Sequence, residues 1–225
     1  MLVTPIEGHS IWAPFYDSEQ NPLVALERRT LIDVLGNEAP SRVIDVACGT
    51  GYWLRHFQGL GSNVIGIDLC EQMLTETVRS PSLRGRVALT DATALPFSAA
   101  SADLITCCLS LGYFRDVKSI FSEFARVLKP TGRVAITDLH PDAAAAGWTR
   151  SFKIGHERYE MAHFVRSLSA IAQTAVRVNL HLGTVRAIHF GEPEYEVFRR
   201  ADKERFFAEA CRIPALFLAI WEKAC

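Results

Sequence analysis

Two glycines and three aspartates hold the chemistry that can be read from this chain. The segment Asp45-Val46-Ala47-Cys48-Gly49-Thr50-Gly51 follows an apolar run and precedes a helix-like one. Gly49 and Gly51 permit a tight turn and close approach of a ligand to the backbone. The free N–H groups of the helix that follows suit a carboxylate or another anion. A dinucleotide loop needs G-x-G-x-x-G, and here the third glycine position counted from Gly49 is Leu54, while counting from Ala47 fails at once. The G-K-[ST] ending of a P-loop is also missing. The loop therefore suits a nucleoside with a small charged tail, or else serves only to join strand to helix.

Asp68 stands 19 residues after Gly49 (68 − 49), the spacing at which an acidic side chain accepts hydrogen bonds from both ribose hydroxyls. A helix N-cap is the other role open to it, and the spacing favours ribose. Leu69 and Met73 lie one helical turn apart and suit an apolar wall, although Met73 suits the core equally well. In the stretch 90–97, Asp91 can accept from an adenine amino group while the next backbone N–H, that of Ala92, donates to the ring. Aspartate is common in turns, so Asp91 gains its weight from coming third in this order.

These residues need a frame. Apolar runs at 42–47, 63–68, 86–90, 102–109 and 133–139 read as strands, with helices over 22–35, 52–58, 71–79 and 117–128. Gly36 stops the first helix, Asp116 suits an N-cap, and Pro130 with Gly132 predicts a turn. Strand alternating with helix predicts an α/β fold, a mostly parallel Rossmann-like sheet with helices on both faces. Residues 176–190 and 214–221 read as two further strands around a short helix at 203–210, the pair forming an antiparallel edge. In such sheets ligands bind beyond the carboxyl ends of the strands, where strand order reverses.

The chain has 225 residues, 49% of them hydrophobic and 22% charged. One domain, 1–225, is the expectation, with a lid and helix at 1–36, a core at 41–139, a covering insertion at 140–175 and closing strands at 176–225. Lys and Arg number 24 against 25 for Asp and Glu. That balance disfavours a nucleic-acid partner, which calls for a basic excess. No apolar stretch reaches about 18 residues, so no membrane span is expected, and MLVTPIEGHSIW has no secretory pattern. The six cysteines, Cys48, Cys70, Cys107, Cys108, Cys211 and Cys225, form no C-x-x-C pair. No metal is expected; most read as small core residues, which suits a cytoplasmic location.

VIDVACGTGYW (43–53), VIGIDLCEQML (64–74), DATALPF (91–97), ADLITCCLSL and FARVLKPTGRVAITDL (124–139) together resemble the class I S-adenosylmethionine-dependent methyltransferases. The likeness is to the small-molecule branch that includes the ubiquinone and menaquinone enzymes, and IWAPFYDSEQNPLVALE (11–27) is similar to its lid. It implies a seven-stranded sheet with the last strand antiparallel. It also implies S-adenosyl-L-methionine as cofactor and S-adenosyl-L-homocysteine as product, in a monomer or homodimer. Asp45, Gly49 and Gly51 would hold the methionine end, with Ala47 standing where many members have glycine. Asp68 would take the ribose, Leu69 would lie beside the adenine, and Asp91 and Ala92 would take the adenine edge. Leu109 would lie beneath the sulfonium through its backbone, and Tyr16 would close over the ligand.

The implied reaction is in-line methyl transfer to an O or N atom of a small-molecule acceptor. Other readings are C-methylation, intramolecular cyclisation, or cofactor binding without catalysis. For a hydroxyl or protonated amine a base is needed, and histidine is suited to it. His140 is placed first, just beyond the fifth core strand, then His163 and His189; His9, His56, His156 and His181 rank below. Tyr113, Trp148, Phe152, Tyr159 and Phe190 suit an aromatic acceptor pocket or plain core, and Glu192 and Glu194 are expected to be solvated.

Overall fold

The computed structural model describes residues 1–36 and 38–223. Cys225 lies outside the described residues. The amino-terminal elements are β1 (Leu2–Val3), α1 (Pro5–Trp12) and α2 (Pro22–Leu35). The core then runs β2 (Arg42–Val46), α3 (Tyr52–Gly59), β3 (Asn63–Asp68), α4 (Glu71–Thr77), β4 (Val87–Leu89), β5 (Ala102–Cys108), α5 (Val117–Val127) and β6 (Leu128–Leu139). Next come α6 (Pro141–Ala145), β7 (Ser151–Ile154), β8 (Glu157–Met161) and α7 (Leu168–Val176). The chain closes with β9 (Leu180–Ile188), α8 (Glu192–Arg200), α9 (Phe207–Ala210) and β10 (Leu216–Lys223).

Seven strands form one sheet in the order β4-β3-β2-β5-β6-β10-β9. Only β10 runs antiparallel to its neighbours, pairing Leu216 with Leu139 on β6 and with Ile188 on β9. The order reverses between β2 and β5, so their carboxyl ends frame the crevice where ligands bind in such sheets. The strands are apolar because both faces are covered. One face packs against α5 and α7, where Phe121 meets Trp221 edge to face at 5.5 Å. The other packs against α2 and α3 through Leu31, Leu54 and Phe57, none of which is exposed.

Helix ends follow local chemistry. The Asn21 side chain accepts from the N–H groups of Leu23 and Val24 to start α2, and Asp116 accepts from Ser119 N to start α5. Gly51, at φ +80°, starts α3. A Cβ there would lie 2.7 Å from Thr77 Cγ2, so glycine is required for packing as well as for φ.

Several expectations are revised. The turn expected at Pro130 lies within β6, where Thr131 takes φ +64° and the register with β5 shifts. The strand expected over 176–190 begins only at Leu180. The alanine-rich run before it forms α7, capped by Ser167 and burying Ile171 and Ala175 one turn apart. The helix expected at 203–210 is a 3₁₀ turn (Glu204–Phe206) and the short α9, preceded by the unforeseen α8. Glu194 of α8 is not solvated. It is 1% exposed, accepts from Gly191 N, and pairs with Arg29 Nε at 2.6 Å.

The 140–175 insertion contributes β7 and β8 to a second sheet of order β1-β8-β7. Leu2 and Val3 pair in parallel with Glu160 and Met161, which ties the start of the chain to the insertion.

Phe121 has no exposure, and large-to-small changes of buried Phe cost about 3–5 kcal/mol. Phe121→Ala should lower the urea midpoint of unfolding by that equivalent; a midpoint unchanged within error would mean that the α5 face does not anchor the sheet.

Candidate functional site

Two clefts open at the carboxyl ends of the strands and share four residues, His9, Tyr16, Leu109 and Tyr113. The first has a volume of about 430 Å³, within the range of small-molecule sites. Its base is the turn after β2. Ala47 and Gly49 both take left-handed backbone, at φ 57° and 54°, and both line the cleft. A Cβ on Gly49 would meet nothing within 4 Å, so the turn presents bare backbone to the cleft.

Asp68 ends β3 and holds this turn. Its Oδ2 accepts from Gly49 N at 2.8 Å and its Oδ1 from Cys70 N at 2.8 Å, the latter starting α4. Asp68 thus braces the turn and meets the N–H of Cys70, the N-cap residue of α4, without itself capping that helix. Each oxygen has a second lone pair, so the carboxylate can still accept from hydroxyls in the cleft. Leu69 beside it is 48% exposed, an apolar surface that a flat ligand would cover, while Met73 reaches the wall from α4 at 1% exposure. Asp91 and Ala92 complete this side. Asp91 Oδ1 accepts from both the N–H and the hydroxyl of Thr93 at 2.8 Å.

Beneath the turn lie two buried carboxylic acids. Asp45, 2% exposed, accepts from Thr106 Oγ1 at 2.7 Å. Burial lifts its pKa to about 7, with the charges of Glu27 and Asp68 adding to the effect and the Thr106 hydrogen bond opposing it. Glu27 of α2, 3% exposed, accepts from Trp53 Nε1 at 3.1 Å and Thr137 Oγ1 at 3.3 Å, and burial lifts its pKa to about 7 as well. Neither Asp45 nor Gly51 reaches the cleft wall; they support the turn from below.

The roof comes from α1. Thr4 and Glu7 cap each other reciprocally, which fixes the helix start. Helix α1 falls within the 1–36 segment expected as lid and helix, ahead of most of the stretch 11–27 that carries the resemblance. Ser10 Oγ donates to Gln72 Oε1 at 2.9 Å, and Thr50 of the turn donates to Asp17 at 2.9 Å. Trp12 stacks on Phe152 at 4.8 Å and meets Tyr16 edge to face at 4.6 Å. Burial raises the pKa of Tyr16, so its hydroxyl stays protonated.

The second cleft, about 480 Å³, lies on the far side of Leu109 and Tyr113. Trp148 and Phe190 line it, stacked at 6.0 Å. Arg150 braces it. Its guanidinium pairs with Asp138, donates to the Leu109 carbonyl at 2.6 Å, and lies 4.7 Å over the Tyr113 ring. Leu109 is itself left-handed at φ 53°, and its carbonyl is already taken by Arg150.

The expected acceptor and base residues are partly displaced. Phe152 and Tyr159 do not line the cleft; paired across β7 and β8 and stacked at 5.2 Å, they back Trp12 instead. His140 lies outside both clefts, 7% exposed, with Nδ1 accepting from Asp142 N as the cap of α6. His189 contacts the Cys211 carbonyl at 3.1 Å on the surface. His163 contacts the Met161 carbonyl at 3.3 Å beside a separate small cavity.

The histidine at the junction is His9. Its Nδ1 lies 2.8 Å from the Pro5 carbonyl, which can only accept, so Nδ1 carries the proton and Nε2 keeps a free lone pair. Burial holds its pKa below the ordinary value, with the charge of Arg150 also lowering it and Asp68 and the Pro5 carbonyl opposing. The signal that could have found it is the Thr4-Pro5-x-Glu7 start, which predicts a helix placing His9 one turn after Pro5.

A doubly wound sheet with a glycine turn, an acidic residue ending the next strand and a lid over both defines the S-adenosylmethionine-dependent methyltransferase architecture. Residues 44–136 match the family described as "Methyltransferase domain". Nocamycin O-methyltransferase of Saccharothrix syringae is 29% identical over 80% of this chain, which spans 65% of that protein. Demethylmenaquinone methyltransferase of Thermus thermophilus is 28% identical over 73% of this chain and 88% of its own. A methyltransferase structure from Mesorhizobium loti superposes with a TM-score of 0.69 at 20% identity, covering 90% of this chain and all (100%) of that one. Over residues 44–136 the chain thus carries a methyltransferase domain, and its fold is that of the S-adenosylmethionine-dependent methyltransferases. Among the described residues no helix is long and apolar enough to cross a membrane.

Two outcomes follow for the turn. Left-handed alanine costs about 1 kcal/mol relative to glycine, so Ala47→Gly should raise the urea midpoint accordingly; a lower midpoint would refute strain at this position. Asp45 is ordinarily near 3.8 and near 7 when folded. Between those values the folded chain holds a proton that the unfolded chain has lost, so stability falls as pH rises. Asp45→Asn should lessen the fall in Tm between pH 5 and pH 8, measured by thermal unfolding without ligand; an undiminished fall would assign the pH dependence elsewhere.

Proposed function

We propose that the chain, acting as one domain, transfers a methyl group from S-adenosylmethionine to an oxygen or nitrogen atom of a small molecule. The observation that carries this reading is the meeting of two clefts at His9, Tyr16, Leu109 and Tyr113. One cleft has the residues for a nucleoside, and the other has aromatic walls suited to an organic acceptor.

The first cleft fits the cofactor. The free lone pairs of Asp68 suit the ribose hydroxyls, Leu69 and Met73 a flat base, and Asp91 with Ala92 the edge of an adenine. Asp45 and Glu27 supply negative charge beneath the turn, where the methionine ammonium would be held. Bound there, S-adenosylmethionine supplies an electrophilic methyl group on a sulfonium.

The protein's own part is alignment, exclusion of water and removal of a proton. Positioning of this kind is worth up to about 7–11 kcal/mol. Trp12, Tyr16 and Tyr113 close the junction against water. His9 Nε2, unprotonated at neutral pH, accepts the proton of an acceptor hydroxyl as the new bond to carbon forms, or that of an acceptor ammonium beforehand, which frees the nitrogen lone pair for attack. Its Nδ1–H stays on the Pro5 carbonyl, which steadies the resulting imidazolium. His9 thus takes the base role that the sequence suggested for His140.

Calorimetry with S-adenosylhomocysteine tests the cofactor site. Loss of two charge-assisted hydrogen bonds is worth about 3 kcal/mol or more, so Asp68→Ala should weaken binding at least ~100-fold, with Asp68→Asn intermediate. Unchanged affinity in a folded variant would remove Asp68 from the ribose role. Radiolabel transfer to a panel of phenols and amines tests the reaction. The rate should fall as pH drops below the His9 pKa, which lies under 6.5. His9→Gln should abolish that limb and lower kcat by about 10²–10⁴ while leaving homocysteine-nucleoside affinity within a few-fold. A wild-type pH profile in the variant would exclude His9 as the base.

A further inference from the structure

The second cleft carries charge that its apolar walls do not explain. Arg158 and Lys203 both line it, from β8 and from the turn before α9. Among the described residues, neither forms an ion pair with a carboxylate. The contrast with Arg150 in the same wall is direct, because Asp138 neutralises Arg150. Arg158 Nη2 donates only to Thr149 Oγ1, at 3.2 Å, and Lys203 Nζ makes no hydrogen bond among the described residues.

The cations also crowd one another. Lys203 and Arg158 are exposed at the mouth of the cleft, and the pKa of Lys203 is lowered by partial desolvation and then by the positive charges of Lys153 and Arg158. The charge of Glu19, whose carboxylate also accepts from Trp12 Nε1, opposes this more strongly than either cation alone promotes it. Glu209 is the one acid in the wall itself, against Arg158 and Lys203. Like charges gathered at the rim of a low-dielectric cleft focus a positive potential into it. The potential is relieved by an anion, and the flanking aromatic rings exclude one that is merely hydrated.

We propose that this cleft is an anion-selective acceptor site, taking an apolar molecule whose carboxylate or phosphate group is held by Lys203 and Arg158. The apolar body lies against the stacked Trp148 and Phe190. The volume of about 480 Å³ admits a molecule of two or three fused rings. The guanidinium of Arg158 offers paired donors to either oxyanion, and the Lys203 ammonium a point charge. The proposal rests on the second cleft being the acceptor side, while its test does not require methyl transfer.

The experiment is calorimetry on the full chain saturated with S-adenosylhomocysteine, using 2-naphthoate, 2-naphthyl phosphate and neutral 2-naphthamide as probes. At least one anion should bind about tenfold or more tighter than the amide, and the stronger of the two identifies the group. Raising salt from low to high concentration should erode that difference. Lys203→Gln combined with Arg158→Gln should bring the anions to the affinity of the amide, while S-adenosylhomocysteine binds as before. The proposal is overturned if the amide binds as tightly as the anions, if the double variant leaves anion affinity intact, or if neither anion binds while S-adenosylhomocysteine does. Failure of S-adenosylhomocysteine itself to bind would instead refute the cofactor reading.

Discussion

The ion pair between Arg150 and Asp138 is the constraint on which the arrangement of the two clefts depends. Asp138 sits near the end of β6 and also accepts from Gly112 N at 2.6 Å. Arg150 arrives from the insertion, after α6, and is 8% exposed. Through one guanidinium it fixes the ends of β5 and β6, the Tyr113 ring and the Leu109 carbonyl. Removing one partner of such a buried pair costs about 3–5 kcal/mol, because the other charge is left without compensation. Leu109, one of the four residues common to both clefts, is therefore held from the side of the second cleft.

The cofactor side rests on an analogous device of opposite sign. The Asp68 carboxylate gathers the N–H groups of Gly49 and Cys70, which belong to the turns after neighbouring strands. One side chain sets both the glycine turn and the start of α4. The turn is strained at Ala47 and rests on two protonatable acids, Asp45 and Glu27. Both features reduce the stability of the unliganded chain, and both leave exposed backbone and negative potential where a cationic ligand can be received. Strain and buried acids of this kind gather at functional sites.

The core of the fold was legible because buried parallel strands announce themselves as continuous apolar runs. The runs at 42–47, 63–68 and 102–109 match β2, β3 and β5 closely. Asp68, Leu69, Asp91 and Ala92 were legible because strand-end positions follow from the strands. The lining of the second cleft was not. His9 reaches the junction because β1 pairs with β8, a contact between residues 157 apart at Met1 and Arg158 that no local pattern records. His140 looked better placed because it follows a core strand directly, yet it is spent on capping α6. Glu194 read as solvated, and its partner Arg29 lies 165 residues earlier.

The small sheet of β1, β8 and β7 stitches the roof over the nucleoside cleft to the wall of its neighbour. Gly8 of α1 packs so closely on Met161 of β8 that a Cβ would come within 2.5 Å of its side chain. Roof and wall are therefore built as one piece: a substitution that loosens the Gly8–Met161 contact would disturb the linings of both compartments together.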